Sequence, residues 1–187
     1  MKKIGILGGT FDPPHLGHLI IAEEVRYQMQ LDEIWFIPTN IPPHKKEAST
    51  DKQHRVNMLK KATESNRFFS IHTIEVEKEE KSYTIHTIKE LKSIYPRYEF
   101  YFIIGADMVE YLPKWHQIES LQKLITFIGV GRPGYSEEAE GVIQVNVPQL
   151  DLSSSMIREK IKNQEPVQYF MTENVYQYIK ENKLYGS

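Results

Sequence analysis

Short apolar runs rich in β-branched residues alternate with longer amphipathic segments along all 187 residues, and this alternation restricts the fold more than any other feature. Lys3–Leu7, Glu33–Ile37, Phe69–Val76, Glu99–Ile104, Leu124–Val130 and Val142–Val147 read as strands. Between them, Leu16–Met29 places Leu16, Leu19, Ile20, Ala22, Val25 and Met29 on one helical face. Lys52–Ser65 carries Val56, Met58, Leu59 and Ala62, and Tyr83–Tyr95 carries Ile85, Ile88 and Leu91 before Pro96 stops it. Two helices, Ser154–Lys162 and Thr172–Glu181, close the chain. Such an order predicts an α/β fold, a Rossmann-like, doubly wound, mainly parallel sheet with helices on both faces. No repeat or linker divides it, so residues 1–187 are expected to form one domain that includes the C-terminal helices. Right-handed crossovers gather the loops after the strands at one edge, where ligands of such sheets bind. Gly8, Gly105 and Gly131 follow three of these strands, where a ligand can approach the backbone.

Composition removes several chemistries. There is no cysteine, which excludes disulfides, thiolate zinc sites and cysteine nucleophiles. A net charge of −2 supplies no basic footprint for nucleic acid. No apolar run approaches membrane-spanning length, and the N-terminus lacks the apolar stretch of a signal peptide. The expectation is a cytoplasmic protein with neither nucleic acid nor membrane as partner.

The loop Gly8-Gly9-Thr10-Phe11-Asp12-Pro13-Pro14-His15-Leu16-Gly17-His18 leaves a strand and enters a helix. Free N–H groups and the positive end of the helix dipole suit a phosphate there. It is neither a G-x-G-x-x-G element nor a P-loop, which requires a lysine. His15 and His18, three apart, share a helix face and can donate hydrogen bonds to phosphate oxygens. The same residues also read as a strand-ending turn and a cap, or as two metal ligands. Further on, Leu152-Ser153-Ser154-Ser155-Met156-Ile157-Arg158 sets serines and an arginine at a helix start. That is an ordinary N-cap, and equally a seat for a triphosphate tail.

Together the two segments resemble the signatures of the nucleotidyltransferase α/β-phosphodiesterase superfamily, [HT]-x-G-H after a G-[ST]-F-D-P loop and I-S-S-T-x-x-R. His15-Leu16-Gly17-His18 is a complete match, while Leu152 and Ser155 replace isoleucine and threonine with the apolar anchor and hydroxyl kept. Five more segments make the whole chain most similar to the bacterial nicotinate-nucleotide adenylyltransferase family: Ile37–Lys45, Ser82-Tyr83-Thr84, Ile103–Asp107, Pro113-Lys114-Trp115 and Gly131–Gly134.

The resemblance implies transfer of AMP from ATP to nicotinate mononucleotide, giving deamido-NAD and pyrophosphate in NAD biosynthesis. Nicotinamide mononucleotide or phosphopantetheine as acceptor, or a non-catalytic nucleotide-binding protein, are the alternatives. Catalysis is assigned to His18, with His15 beside it and Lys45 neutralising the incoming phosphate. ATP is assigned to Gly8, Gly9, Thr10, Phe11, Gly105, Asp107, Arg132, Ser154, Ser155 and Arg158. The nicotinate nucleotide is assigned to Asn40, His44, Lys45, Ser82, Tyr83, Thr84 and Trp115. Mg²⁺ is expected with ATP, held by phosphates and water rather than by the chain. Trp115 reads equally as core packing, and Ser82–Thr84 as a plain helix cap. Relatives are often dimers, so a homodimer is possible. The aromatic C-terminal part (Tyr169, Phe170, Tyr176, Tyr178, Tyr185) reads first as core and second as an interface.

Overall fold

The six apolar runs become β1 (Lys2–Gly9), β2 (Glu33–Pro38), β3 (Phe69–Ile71), β4 (Tyr98–Gly105), β5 (Thr126–Gly131) and β6 (Val142–Asn146). They pair in parallel, in the order β3-β2-β1-β4-β5-β6, in a computed structural model that describes residues 1–40, 50–78, 83–131 and 140–187. The helices are α1 (Leu16–Gln28), α2 (Lys52–Thr63), α3 (Thr84–Ile94), α4 (Ala106–Tyr111), α5 (Ile118–Gln122), α6 (Ser154–Lys162) and α7 (Glu173–Glu181). The sheet is wholly parallel among the described residues, and its strand order reverses between β1 and β4.

Strand alternation sorts the core into two layers. Ile4, Ile6, Trp35, Ile37, Phe100, Ile104 and Phe127 face one side, buried with Ile85, Ile88 and Leu91 of α3 and Leu121 of α5. Leu7, Ile34, Phe36, Ile103, Ile128 and Val130 face the other, with Ala22 and Val25 of α1 and Leu59 of α2. A third cluster joins Met58 and Ala62 on the outer side of α2 to Ile157 and Ile161 of α6 and Val175 and Ile179 of α7. Phe170, Tyr176, Tyr178 and Tyr185 pack against this cluster, whereas Tyr169 points out, 83% exposed.

Two expectations are corrected. The third strand ends at Ile71 rather than Val76, because the chain turns over Thr73–Glu77, where Glu77 N–H donates to the Thr73 carbonyl. The alternating Ile74 and Val76 are accommodated by that turn, which buries Val76 without a ladder. The stretch after Gly105, where no helix was expected, holds α4, a 3-10 turn at Leu112–Lys114 and α5. Helices of one or two turns are too short to display a periodicity.

Candidate active site

A cavity of about 440 Å³ opens at the carboxyl ends of β1 and β4, where the strand order reverses. Gly8, Gly9, Thr10 and His18 line it from the first loop and α1. Tyr83 and Thr84 enter from the start of α3, and Gly105, Met108 and Trp115 from the segment after β4. Eight residues assigned from sequence therefore share one chamber with Ile37, Thr39, Phe102 and Glu75, none of which was singled out as a site residue.

The first loop is shaped by its side chains. Phe11 takes a left-handed backbone, φ 50°, and turns its ring into the core, where it is 2% exposed and lies edge-on to His18 at 5.0 Å. Gly9 makes room for that ring, since a Cβ there would stand 3.1 Å from Phe11 Cζ. Any part of Phe11 in ATP binding is thus left to its backbone. Carbonyls of the loop are held by side chains that do not line the cavity. Arg55 Nη1 donates to Thr10 O at 2.9 Å, Arg158 Nη1 to Asp12 O at 2.7 Å, and Ser154 Oγ to Pro13 O at 2.8 Å.

The two histidines are set apart by their partners. His15 is the N-cap of α1, and its N–H donates to His18 Nδ1 at 3.2 Å. With Nδ1 accepting, the proton of a neutral His18 ring resides on Nε2, so that nitrogen is a donor. The rings stack at 3.8 Å, and His15 is 8% exposed behind His18. Gly17 permits this, because a Cβ there would meet His15 Cε1 and Nδ1 at 3.0 Å. Burial pulls the His15 pKa down to about 4. Burial, and then the charge of a protonated His15, push His18 well below its ordinary 6.5. Both are neutral at pH 7, and His18 alone of the pair lines the cavity.

In the second motif Ser153 is the cap, accepting from Met156 N–H at 3.1 Å. That leaves Ser154 and Arg158 free to reach the first loop, with Ser155 Oγ exposed and accepting from Arg158 Nη2 at 3.3 Å. All three stand beside the cavity on its Asp12–Pro13 side rather than in its wall. Trp115 packs edge-on against Phe102 and Phe127 at 5.8 and 5.9 Å, as the core reading expects, and also lines the cavity. Tyr83 stands at the N-cap position of α3 without a side-chain capping bond, and the first turn of the helix leaves N–H groups without helical partners. Asn40 does not line the cavity; its Nδ2 donates to the Lys78 carbonyl at 2.5 Å, and its neighbour Thr39 takes the wall position. His44, Lys45, Ser82 and Arg132 lie outside the described residues, as does the Asp107 side chain; the Asp107 backbone is in the first turn of α4.

Two buried charged residues complete the surroundings. Glu75 lines the cavity, 8% exposed, and accepts from Thr87 Oγ1 of α3 at 2.8 Å. Burial raises its pKa, against the pull of the Thr87 hydrogen bond and the Lys78 charge. Arg55, 1% exposed, also donates to Thr39 O at 2.8 Å, and the Asp12 carboxylate offsets its charge. Its place on the apolar stripe of α2, beside Val56, Met58 and Leu59, was the available signal. Glu75, between Ile74 and Val76 in the apolar run 69–76, carried a fainter one. Among the described residues no group of three or more His, Asp or Glu is arranged to hold a metal ion.

The cavity at the switch point is lined by a glycine loop that enters a helix and by the His18 imidazole, an arrangement suited to the phosphates of a nucleotide. The model of the cytidylyltransferase-like family matches residues 6–160. The chain is 53% identical to the nicotinate-nucleotide adenylyltransferase of Bacillus subtilis, over 100% of both chains. It is 54% identical to the "Probable nicotinate-nucleotide adenylyltransferase" of Oceanobacillus iheyensis, covering 100% of this chain and 98% of that one. The chain belongs to the nicotinate-nucleotide adenylyltransferase family. The same fold recurs in the nicotinic acid mononucleotide adenylyltransferase of Plasmodium falciparum, solved in complex with APC, at TM-score 0.82 and 23% identity over 99% of this chain and 98% of that one.

Proposed function

We propose that the chain joins ATP and nicotinate mononucleotide into deamido-NAD and pyrophosphate. The observation that carries this reading is the single chamber connecting the Gly8–Thr10 loop and His18 to the start of α3 and Trp115. One end suits a triphosphate and the other a flat, carboxylated ring.

An oxygen of the nucleotide's 5′-phosphate attacks the α-phosphorus of ATP, and the bond to the β-phosphate oxygen breaks as pyrophosphate leaves. Both reactants are anionic, so the residues act by positioning and by meeting developing charge. His18 donates from Nε2–H to an α-phosphate oxygen, and its neutral state makes this a hydrogen bond rather than a proton transfer. His15 acts through His18, by stacking on it and setting its tautomer. N–H groups of Gly9 and Thr10 receive the phosphates, and Ser154, Ser155 and Arg158 hold the departing pyrophosphate from the far side of the loop. Lys45 and His44 neutralise the attacking phosphate, and Arg132 and Asp107 address the adenosine. Ser82, Tyr83 and Thr84 receive the nicotinate carboxylate while Trp115 stacks on the ring. Asn40 supports this end of the site from its bond to Lys78. Mg²⁺ would be held by the ATP phosphates and water rather than by residues of the chain, and would lower the charge of the triphosphate. The reaction is assigned to the cytoplasm; no helix among the described residues is long and apolar enough to cross a membrane.

Pyrophosphate release with ATP and, in turn, nicotinate mononucleotide, nicotinamide mononucleotide and phosphopantetheine tests the reading. Turnover should be fastest with the first. His18→Ala should lower kcat about a hundredfold or more with a smaller change in KM. An unchanged kcat would sink the role of His18, and preference for another acceptor would sink the substrate.

A further inference from the structure

The closing 3-10 turn, Leu184–Gly186, holds Tyr185 in a left-handed backbone with φ 60° and ψ 15°. Lys183, two residues before it, has φ 50°. Strain at two non-glycine residues so close together persists only where the surroundings enforce it. What it accomplishes here is to carry the phenol inward. Tyr185 Oη donates to Asp12 Oδ1 at 2.5 Å and lies 3.8 Å from Met58 Sδ. Asp12 is 2% exposed in the loop whose carbonyls Arg55, Arg158 and Ser154 hold.

We propose that Tyr185 is a positioning residue for the ATP triphosphate. By anchoring the Asp12 carboxylate it completes the backing of the Thr10–Pro13 backbone, and so makes the α6–α7 unit part of the nucleotide site. Tyr185 does not line the cavity, and its effect passes through the loop. The inference rests on the first loop being the ATP phosphate site. A phenol is the right group for this position, because burial and the Asp12 charge keep it protonated and always able to donate. It also leaves the net charge around Arg55 and Asp12 unaltered. Phenylalanine would keep the ring packing and remove the hydroxyl, with its donation to Asp12 and its bond with Thr50.

The test uses the full chain with Tyr185→Phe, Asp12→Ala and both together, following thermal unfolding, the two KM values and calorimetric binding of α,β-methylene-ATP. Tyr185→Phe should stay folded, bind the analogue about tenfold more weakly and raise the KM for ATP in step. The KM for nicotinate mononucleotide should stay within about twofold. Asp12→Ala, which removes the acceptor, should show the same ATP-side loss, and the double variant no more than the larger single loss. Native analogue binding in either folded single variant overturns the proposal. So does an equal rise in both KM values, which marks a merely structural role. If Tyr185→Phe does not fold, Asp12→Ala with Tyr185 intact decides by the same criteria. A native chain that binds the analogue but does not turn over nicotinate mononucleotide refutes the proposed function and leaves this inference standing.

Discussion

His15 and His18 show how two identical side chains three residues apart acquire different work. The capping position sends the His15 ring back over Gly17 into a dry site, and its backbone N–H fixes the tautomer of His18. Only His18 then faces the cavity. This arrangement has a measurable cost in acid. The unfolded chain protonates His15 near 6.5, whereas the folded chain resists until about 4. Between those values the unfolded state binds more protons, so stability rises with pH through this window and is lost as pH falls toward its lower end. The size is up to about 3 kcal/mol, at 1.4 kcal/mol per unit. Urea unfolding of the native chain and His15→Gln from pH 4.5 to 7.5 should show the native slope flattened in the variant. Identical slopes would contradict the assignment. Among single residues, Gly9, Thr10, His18, Thr84 and Trp115 were legible as site candidates through the family resemblance of the segments that hold them, since glycines and hydroxyl residues at strand and helix ends are by themselves ordinary turns and caps. Glu75 was not, since a glutamate in an apolar run looks the same whether it faces solvent or a cavity.

Among the elements, α2 does more than cover the sheet. Its inner side buries Leu59 against the sheet core, its outer side buries Met58 and Ala62 against α6 and α7, and Arg55 reaches between β1 and β2 to Thr10 and Thr39. Arg55→Met should destabilise the chain by about 3 kcal/mol, because two buried carbonyls lose their donor and Asp12 loses its counter-charge. Denaturant unfolding measures this directly, and a change under about 0.5 kcal/mol would refute the structural role. Arg55→Lys should restore only part of the stability: Nη1 alone donates to both Thr10 O and Thr39 O, as an ammonium could, but lysine has no counterpart to Nη2, which reaches Asn40 O at 3.5 Å. The long elements were readable from periodicity to within a residue or two, as Ser154–Lys162 and Leu16–Gln28 show. The short ones were not. Phe69–Ile71, α4 and α5 exist because neighbours supply their burial and hydrogen bonds, and a window of three to six residues carries no period of its own.

For the molecule as a whole, we take residues 1–187 as one cooperative unit, with α6 and α7 docked on α2 through the third core cluster. Unfolding should then be a single transition by fluorescence and circular dichroism. α,β-Methylene-ATP at 100 times its Kd should shift that transition as one, by about 2.7 kcal/mol. Two transitions, only one of them moved by the nucleotide, would refute the single unit. Residue order was enough for the alternation that makes a parallel sheet, the glycine loop with its two histidines, and the serine–arginine motif. These are local patterns of spacing and residue type, written in contiguous stretches. Packing in three dimensions was needed to show that Ser154 and Arg158 close on Pro13 and Asp12 across 141 and 146 residues. It was needed equally for the reach of Tyr185 to the same loop, and for the place of His15 behind His18 rather than beside it. Those outcomes depend on how helices dock and which groups lose water when they do, and no contiguous pattern encodes either.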